Sequence, residues 1–167
     1  MARGRPLEVE AELLEAFRHC GRVTEYLVGV VPAPLWRAQP PGGRGRNIAA
    51  IVAHIQSVRR MFARMGGASP PSLDRKTVTV AQARQAIRRS TDQLTELFET
   101  ALGARTTRVK GMSRRAVDVL AYLLQHDAHH RGQICMLARD LGHEFARDDI
   151  MRLWGWKALP SDHGSRS

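Results

Sequence analysis

The sequence predicts an all-α fold, a four-helix bundle with a short extra C-terminal helix, and three observations carry that prediction. Apolar residues recur every three or four positions through four long segments. Those segments are bounded by Asn, Thr or Ser on one side and Gly or Pro on the other, the residues that start and stop helices. Alternation at the strand period reaches only from Thr77 to Val80, which reads better as the approach to a helix.

In the first helix Leu13, Leu14, Phe17, Cys20, Thr24, Leu27, Val28 and Val31 share one stripe at about 100° per residue. Pro32 and Pro34 stop it. The run PPGGRGR at Pro40 to Arg46 is Gly-rich and basic, but it lacks the GxxxxGK[ST] phosphate pattern and no strand precedes it. It is expected to be a connector with a place on a pocket rim. Asn47 should cap the second helix, IAAIVAHIQSVRRMFARM, which Gly66 and Gly67 end. Thr79 and Gln82 match a capping box for the third helix, which runs to about Leu102 and stops at Gly103. Ser113 is expected to cap the fourth, Ala116 to Gly142. A fifth, roughly Asp149 to Ala158, should bring Leu153, Trp154 and Trp156 over one end of the bundle. One domain over residues 7–158 is implied, with flexible termini at 1–6 and 159–167.

The chain has 167 residues, enough to bury a real core. Two cysteines, Cys20 and Cys135, make no disulfide framework and suit a reducing compartment. No apolar run resembles a signal peptide or reaches the twenty or so residues of a membrane span, so the expected location is the cytoplasm, with no membrane partner. The net charge of +10 permits nucleic-acid binding. Against that reading, the basic residues are scattered, and only 5% of residues are aromatic, too few for a base-stacking platform. Arginines on solvated helix faces explain the charge more simply.

The fourth segment carries the chemistry. His126, Asp127, His129 and His130 crowd five positions of an otherwise apolar helix. Residues four apart on a helix share a face about 6 Å apart, so His126 and His130 can grip one ion. His129 points away, beside Tyr122 and Met136. Two imidazoles rarely hold a divalent ion tightly, and His54 is the best third ligand because it alone sits in the middle of another core helix. A neutral three-His site suits Zn best, with Ni, Fe or Mn as further candidates. No HExxH motif is present. Asp127 faces the core, spaced to meet Arg131. Arg59, about one turn past His54, is a candidate contact for an anionic substrate, although a solvated arginine is the plainer reading.

HDAHHRGQI at His126 to Ile134 resembles the HxxxHxGQ signature of the DinB/YfiT-like metalloenzyme family, and NIAAIVAHIQSVRR is similar to its second helix with the first His ligand. The resemblance runs from Leu7 to about Lys157. It implies an up-down-down-up bundle, commonly a homodimer, with His54, His126 and His130 as the metal triad. Gly132 and Gln133 fall on the family's GQ pair. Gly132 would let another helix approach, and Gln133 would orient His129 or a substrate. Family likeness further implies a thiol-dependent transferase in which a metal-activated low-molecular-weight thiol attacks a small electrophilic substrate, with Asp127, His129 and Gln133 supporting the centre. A metal-dependent hydrolase would use the same site. A basic DNA-binding module and a metal-free interaction bundle are readings of another class.

Overall fold

The computed structural model describes residues 7–160. Among these there are five α-helices, two single-turn 3-10 segments and no strand. The expected flexible stretch 1–6, and the C-terminal one from residue 161, lie outside the described residues. The helices are α1 (Val9–Val30), α2 (Ile48–Met65), α3 (Val80–Gly103), α4 (Ala116–Asp140) and α5 (Arg147–Leu153).

Local chemistry sets most of the boundaries. Val31 turns extended ahead of Pro32, which ends α1. Asn47 Oδ1 accepts from the Ala50 N–H at 2.9 Å and starts α2. Thr79 and Gln82 form the reciprocal capping box of α3. Ser113 does not cap α4: the helix begins after Arg115 with no side-chain cap. The preceding loop supplies an acceptor instead, the Thr107 carbonyl taking the Ala116 N–H at 2.8 Å. The last helix is shorter than expected, and Gly155 at φ +78° turns the chain away behind it. Leu153 reaches the core, but Trp154 and Trp156 are 74% and 76% exposed, so they do not cover the bundle end.

α1 packs chiefly on α3, α3 on α2, α2 on α4, and α4 on α1, giving a ring in the order α1–α3–α2–α4, with α5 against α1. Two apolar clusters fill the ring. One gathers Leu27, Val28, Ile48, Ile55, Ile87 and Ile134, and the other Leu14, Phe17, Phe62, Leu94, Phe98 and Leu123. On all four long helices a polar residue falls in sequence between the two clusters: Thr24, Arg59, Thr91 and Asp127.

That layer centres on a buried ion pair. Arg59 is fully buried and Asp127 is 1% exposed. Arg59 donates from Nε to Asp127 Oδ2 at 3.0 Å, and its Nη2 joins the same oxygen. Its Nη1 donates to Thr91 Oγ1 at 2.6 Å and to the Ile87 carbonyl at 3.3 Å, and Phe17 lies 5.9 Å from the guanidinium. Arg59 is thus neither a solvated side chain nor a substrate contact. Arg131, the partner expected for Asp127, instead donates to Thr24 Oγ1 at 3.0 Å and Cys20 Sγ at 3.1 Å on α1, and acts on Asp127 through its charge. The close approach expected at Gly132 occurs elsewhere. A Cβ on Gly132 would meet nothing within 4 Å, whereas one on Gly21 would lie 2.4 Å from Thr91 Oγ1. Thr91 cannot simply rotate away, because it holds Arg59.

Removing one partner of a buried pair strands the other charge, a cost of about 3–5 kcal/mol. Arg59→Ala should therefore lower the unfolding free energy by roughly that amount, measured by urea denaturation. The double variant Arg59→Met, Asp127→Leu should recover most of the loss, because no charge is left buried.

Candidate metal centre

The three histidines singled out in the sequence meet at the α2–α4 contact. His54 Nε2 lies 3.4 Å from His126 Nε2, and His130 Nε2 lies 3.1 Å from the same atom. One ring nitrogen from each residue can be chosen so that all three lie within 4.8 Å of one another. Around a tetrahedral zinc with bonds of 2.0–2.1 Å, ligand nitrogens sit about 3.3 Å apart. Two of the three spacings are those of a ligand set, and a small ring shift brings the third pair, within 4.8 Å, to the same ion.

Hydrogen bonding alone does not explain the contact. An imidazole Nε2 carries either one proton or one lone pair, so His126 Nε2 cannot bond two neighbours in the ring plane at once. The other nitrogens fix the tautomers. Gln133 donates through Nε2 to His129 Nε2 at 3.0 Å, which leaves its Oε1 to accept from His130 Nδ1 at 2.7 Å. His130 Nδ1 therefore holds the proton, and its Nε2 lone pair faces His126. On the other ring, His126 Nδ1 lies 3.7 Å from Asp127 Oδ1, and neither of these buried atoms has a hydrogen-bond partner. The Asp127 charge favours the proton on Nδ1, and that tautomer leaves a second Nε2 lone pair facing the first. Two lone pairs 3.1 Å apart repel unless a cation lies between them. The donor set fits a divalent metal ion.

The electrostatics agree. Burial lowers the His54 pKa below its ordinary 6.5, and the charge of Arg46 and the neighbouring His130 and His126 push the same way. Burial also lowers His130, outweighing the hydrogen bond to Gln133 that favours its charged form. Both rings are thereby kept neutral, as metal ligation requires. For Asp127, burial alone would raise the carboxyl, but the Arg59 charge, the neighbouring His126 ring, the hydrogen bonds from Arg59 and the Arg131 charge hold it below the ordinary range. Asp127 stays an anion.

The remaining sequence candidates divide. Gln133 touches both His129 and His130, so it orients a ring of the cluster directly. His129 is exposed and reaches the cluster only through Gln133 and a ring contact of 5.0 Å with His130. Arg59 lies behind the cluster. Its role was missed because an arginine in a sequence is read as solvated, yet it stands on the stripe of Ile48, Ile55 and Phe62, a signal that was present. Arg46, in the Gly-rich connector, brings a charge to the site that no local sequence signal marks.

A histidine with a lowered folded-state pKa stabilises the fold above its unfolded pKa, and that contribution is lost as pH falls through the folded value. The metal-free protein should therefore lose stability as pH falls below about 6.5, followed by Tm. A His54→Gln, His130→Gln double variant should flatten that slope. The Asp127 contribution belongs to a separate window, because it is lost only below the ordinary carboxyl range.

Against known proteins, no curated protein and no solved structure matches the chain. A family profile does, over residues 5–160, nearly the whole length. The chain belongs to the DinB family.

Proposed function

We propose that this chain is a divalent-metal-dependent enzyme in which His54, His126 and His130 hold the ion, zinc by preference, with Ni, Fe or Mn compatible with the same donors. The observation that carries the reading is the convergence of three ring nitrogens, with Nε2 contacts at 3.1 and 3.4 Å, where one in-plane hydrogen bond cannot serve all three. When bound, such an ion supplies Lewis acidity, bringing a coordinated water or thiol toward ionisation near neutral pH.

The chain's own residues prepare that chemistry. Asp127, held anionic by Arg59, favours the His126 proton on Nδ1. Gln133 keeps the His130 proton on its Nδ1. His54 is only half-buried, so the cluster has a side open to a small molecule. We favour a thiol-dependent transferase acting on small electrophiles, a preference that rests on family likeness, with a metal-dependent hydrolase as runner-up. A small epoxide offered with and without a low-molecular-weight thiol separates the two. Consumption that needs the thiol supports the transferase, and consumption by water alone supports the hydrolase.

The wider reading is a single domain over residues 7–158, an up-down-down-up bundle, a homodimer and a cytoplasmic location. The order of the apolar clusters supports the helix directions. Along α1 and α4 the chain passes from the Phe17 cluster to the Ile55 cluster, and along α2 and α3 it passes the other way. A DNA-binding role gains little, because several arginines are engaged within the chain. Arg88 and Arg84 meet Glu25 at 2.6 and 3.3 Å, and Arg22 meets Glu15 at 2.6 Å.

Protein purified without an affinity tag should contain close to one divalent ion per chain by elemental analysis. His126→Ala and His54→Ala should each reduce that to below about a tenth. Stoichiometric metal surviving both substitutions would overturn the triad.

A further inference from the structure

An open cavity of 520 Å³ lies at the start of α2, walled by the connector before α2, the first turn of α2 and the loop after it. Four of its lining residues are cations, Arg37, Arg46, Arg75 and Lys76, and none is an acid. The acid adjacent in sequence, Asp74, is turned to its own loop, where Oδ1 accepts from the Lys76 backbone N–H at 2.8 Å. Arg37 has a structural task. It donates to the Lys76 and Val78 carbonyls at 2.6 and 2.5 Å, clamping the second loop to the first. That clamp brings Arg75 and Lys76 to the same cavity as Arg46. Asn47 and Ala50 add the positive end of α2 to the wall.

A sphere of that volume has a radius of about 5 Å, inside the Debye length of about 8 Å at physiological salt, so the four charges act on an occupant with only partial screening. The cavity reaches to within one helical turn of the cluster. Ala50 lines it, and His54 is four residues on along the same face of α2. Arg46 lines it too, and its charge acts on both His54 and His130.

We propose that this basin receives the anionic end, a phosphate or a carboxylate, of the small molecule whose reactive end meets the His54–His126–His130 cluster. The inference rests on the metal-centre reading for its second half only, since the basin is built from different residues. Arg46, Arg75 and Lys76 hold the anion, and Arg37 holds the loop that presents two of them. The substrate, or the thiol that attacks it, is thus an acid at neutral pH.

Calorimetric titration of the full chain, metal-free and zinc-loaded, with inorganic phosphate and with succinate tests this. An Arg46→Ser, Arg75→Ser, Lys76→Ser variant serves as comparison, its fold and zinc content checked first. Arg37 is left in place. One probe should bind the wild type in a salt-sensitive manner and at least about tenfold more weakly to the variant, whose zinc content is unchanged. Which probe binds tells phosphate from carboxylate recognition. Zinc loading should tighten binding, because the added charge lies beside the basin. Equal binding by wild type and variant, or binding of neither probe, overturns the basin. No effect of zinc loading overturns the shared-molecule half. Anion binding that the variant loses, in a wild type that takes up no zinc, supports the basin and overturns the metal centre instead. A short DNA duplex that binds more tightly than either probe, and is lost with the same substitutions, overturns the small-molecule assignment.

Discussion

The buried pair of Arg59 and Asp127 is the interaction on which the rest of the structure depends. It joins α2 to α4, the two helices that carry the histidines, and it does so in the middle of the core, where the dielectric is low and the geometry is fixed. Two charges are costly to remove from water, and their attraction offsets that cost only when the remaining donors and acceptors are met. Here Thr91 and the Ile87 carbonyl take the guanidinium donors left over from Asp127. One atom of the pair is left unmet by the core, Asp127 Oδ1, and it faces the ring of His126. The same network therefore joins α2 to α4 and places a negative charge beside a cluster histidine.

This arrangement explains why the cluster sits where it does. An apolar layer at this height would pack at least as well, but it would offer no acceptor to a histidine on α4. A polar layer between two apolar clusters permits a carboxylate beside His126 while excluding water from its far side. α1 and α3 contribute the supporting hydroxyls, Thr24 and Thr91, and the α1–α3 contact is close enough at Gly21 that Thr91 has little freedom. The centre is thus held by all four long helices although only two supply its histidines.

Much of this was legible in the sequence. The HxxxH spacing of His126 and His130 is a statement about one helix, and helix geometry alone places the rings together. His54 could be selected because no other histidine falls in the middle of another core helix. The caps at Asn47 and Thr79 are local and were readable for the same reason. The cap expected at Ser113 is local and absent, and the other failures were inferences that needed a neighbour. Asp127 was matched to Arg131, one turn away, when its partner was across the bundle. Gly132 was matched to an approaching helix that is not there. Trp154 and Trp156 looked like cover for a core and are solvent-facing. A pair of opposite charges on the buried stripes of two helices was visible at Arg59 and Asp127, but their meeting depends on helix order, which no single helix encodes. The basin at Arg46, Arg75 and Lys76 is a product of two loops and depends on the Arg37 clamp in the same way.

The most direct measurement is X-ray absorption at the zinc edge on zinc-loaded wild type and on the Asp127→Asn variant, whose isosteric amide removes the anion behind His126. With the three histidines as ligands, the wild type should show three imidazole nitrogens at about 2.0–2.1 Å completed by one or two light atoms. The variant should lose imidazole scattering and bind zinc about 10–100-fold more weakly. A wild-type spectrum without three imidazoles, or a variant identical to wild type in both coordination and affinity, would contradict the link from Arg59 through Asp127 to the metal centre.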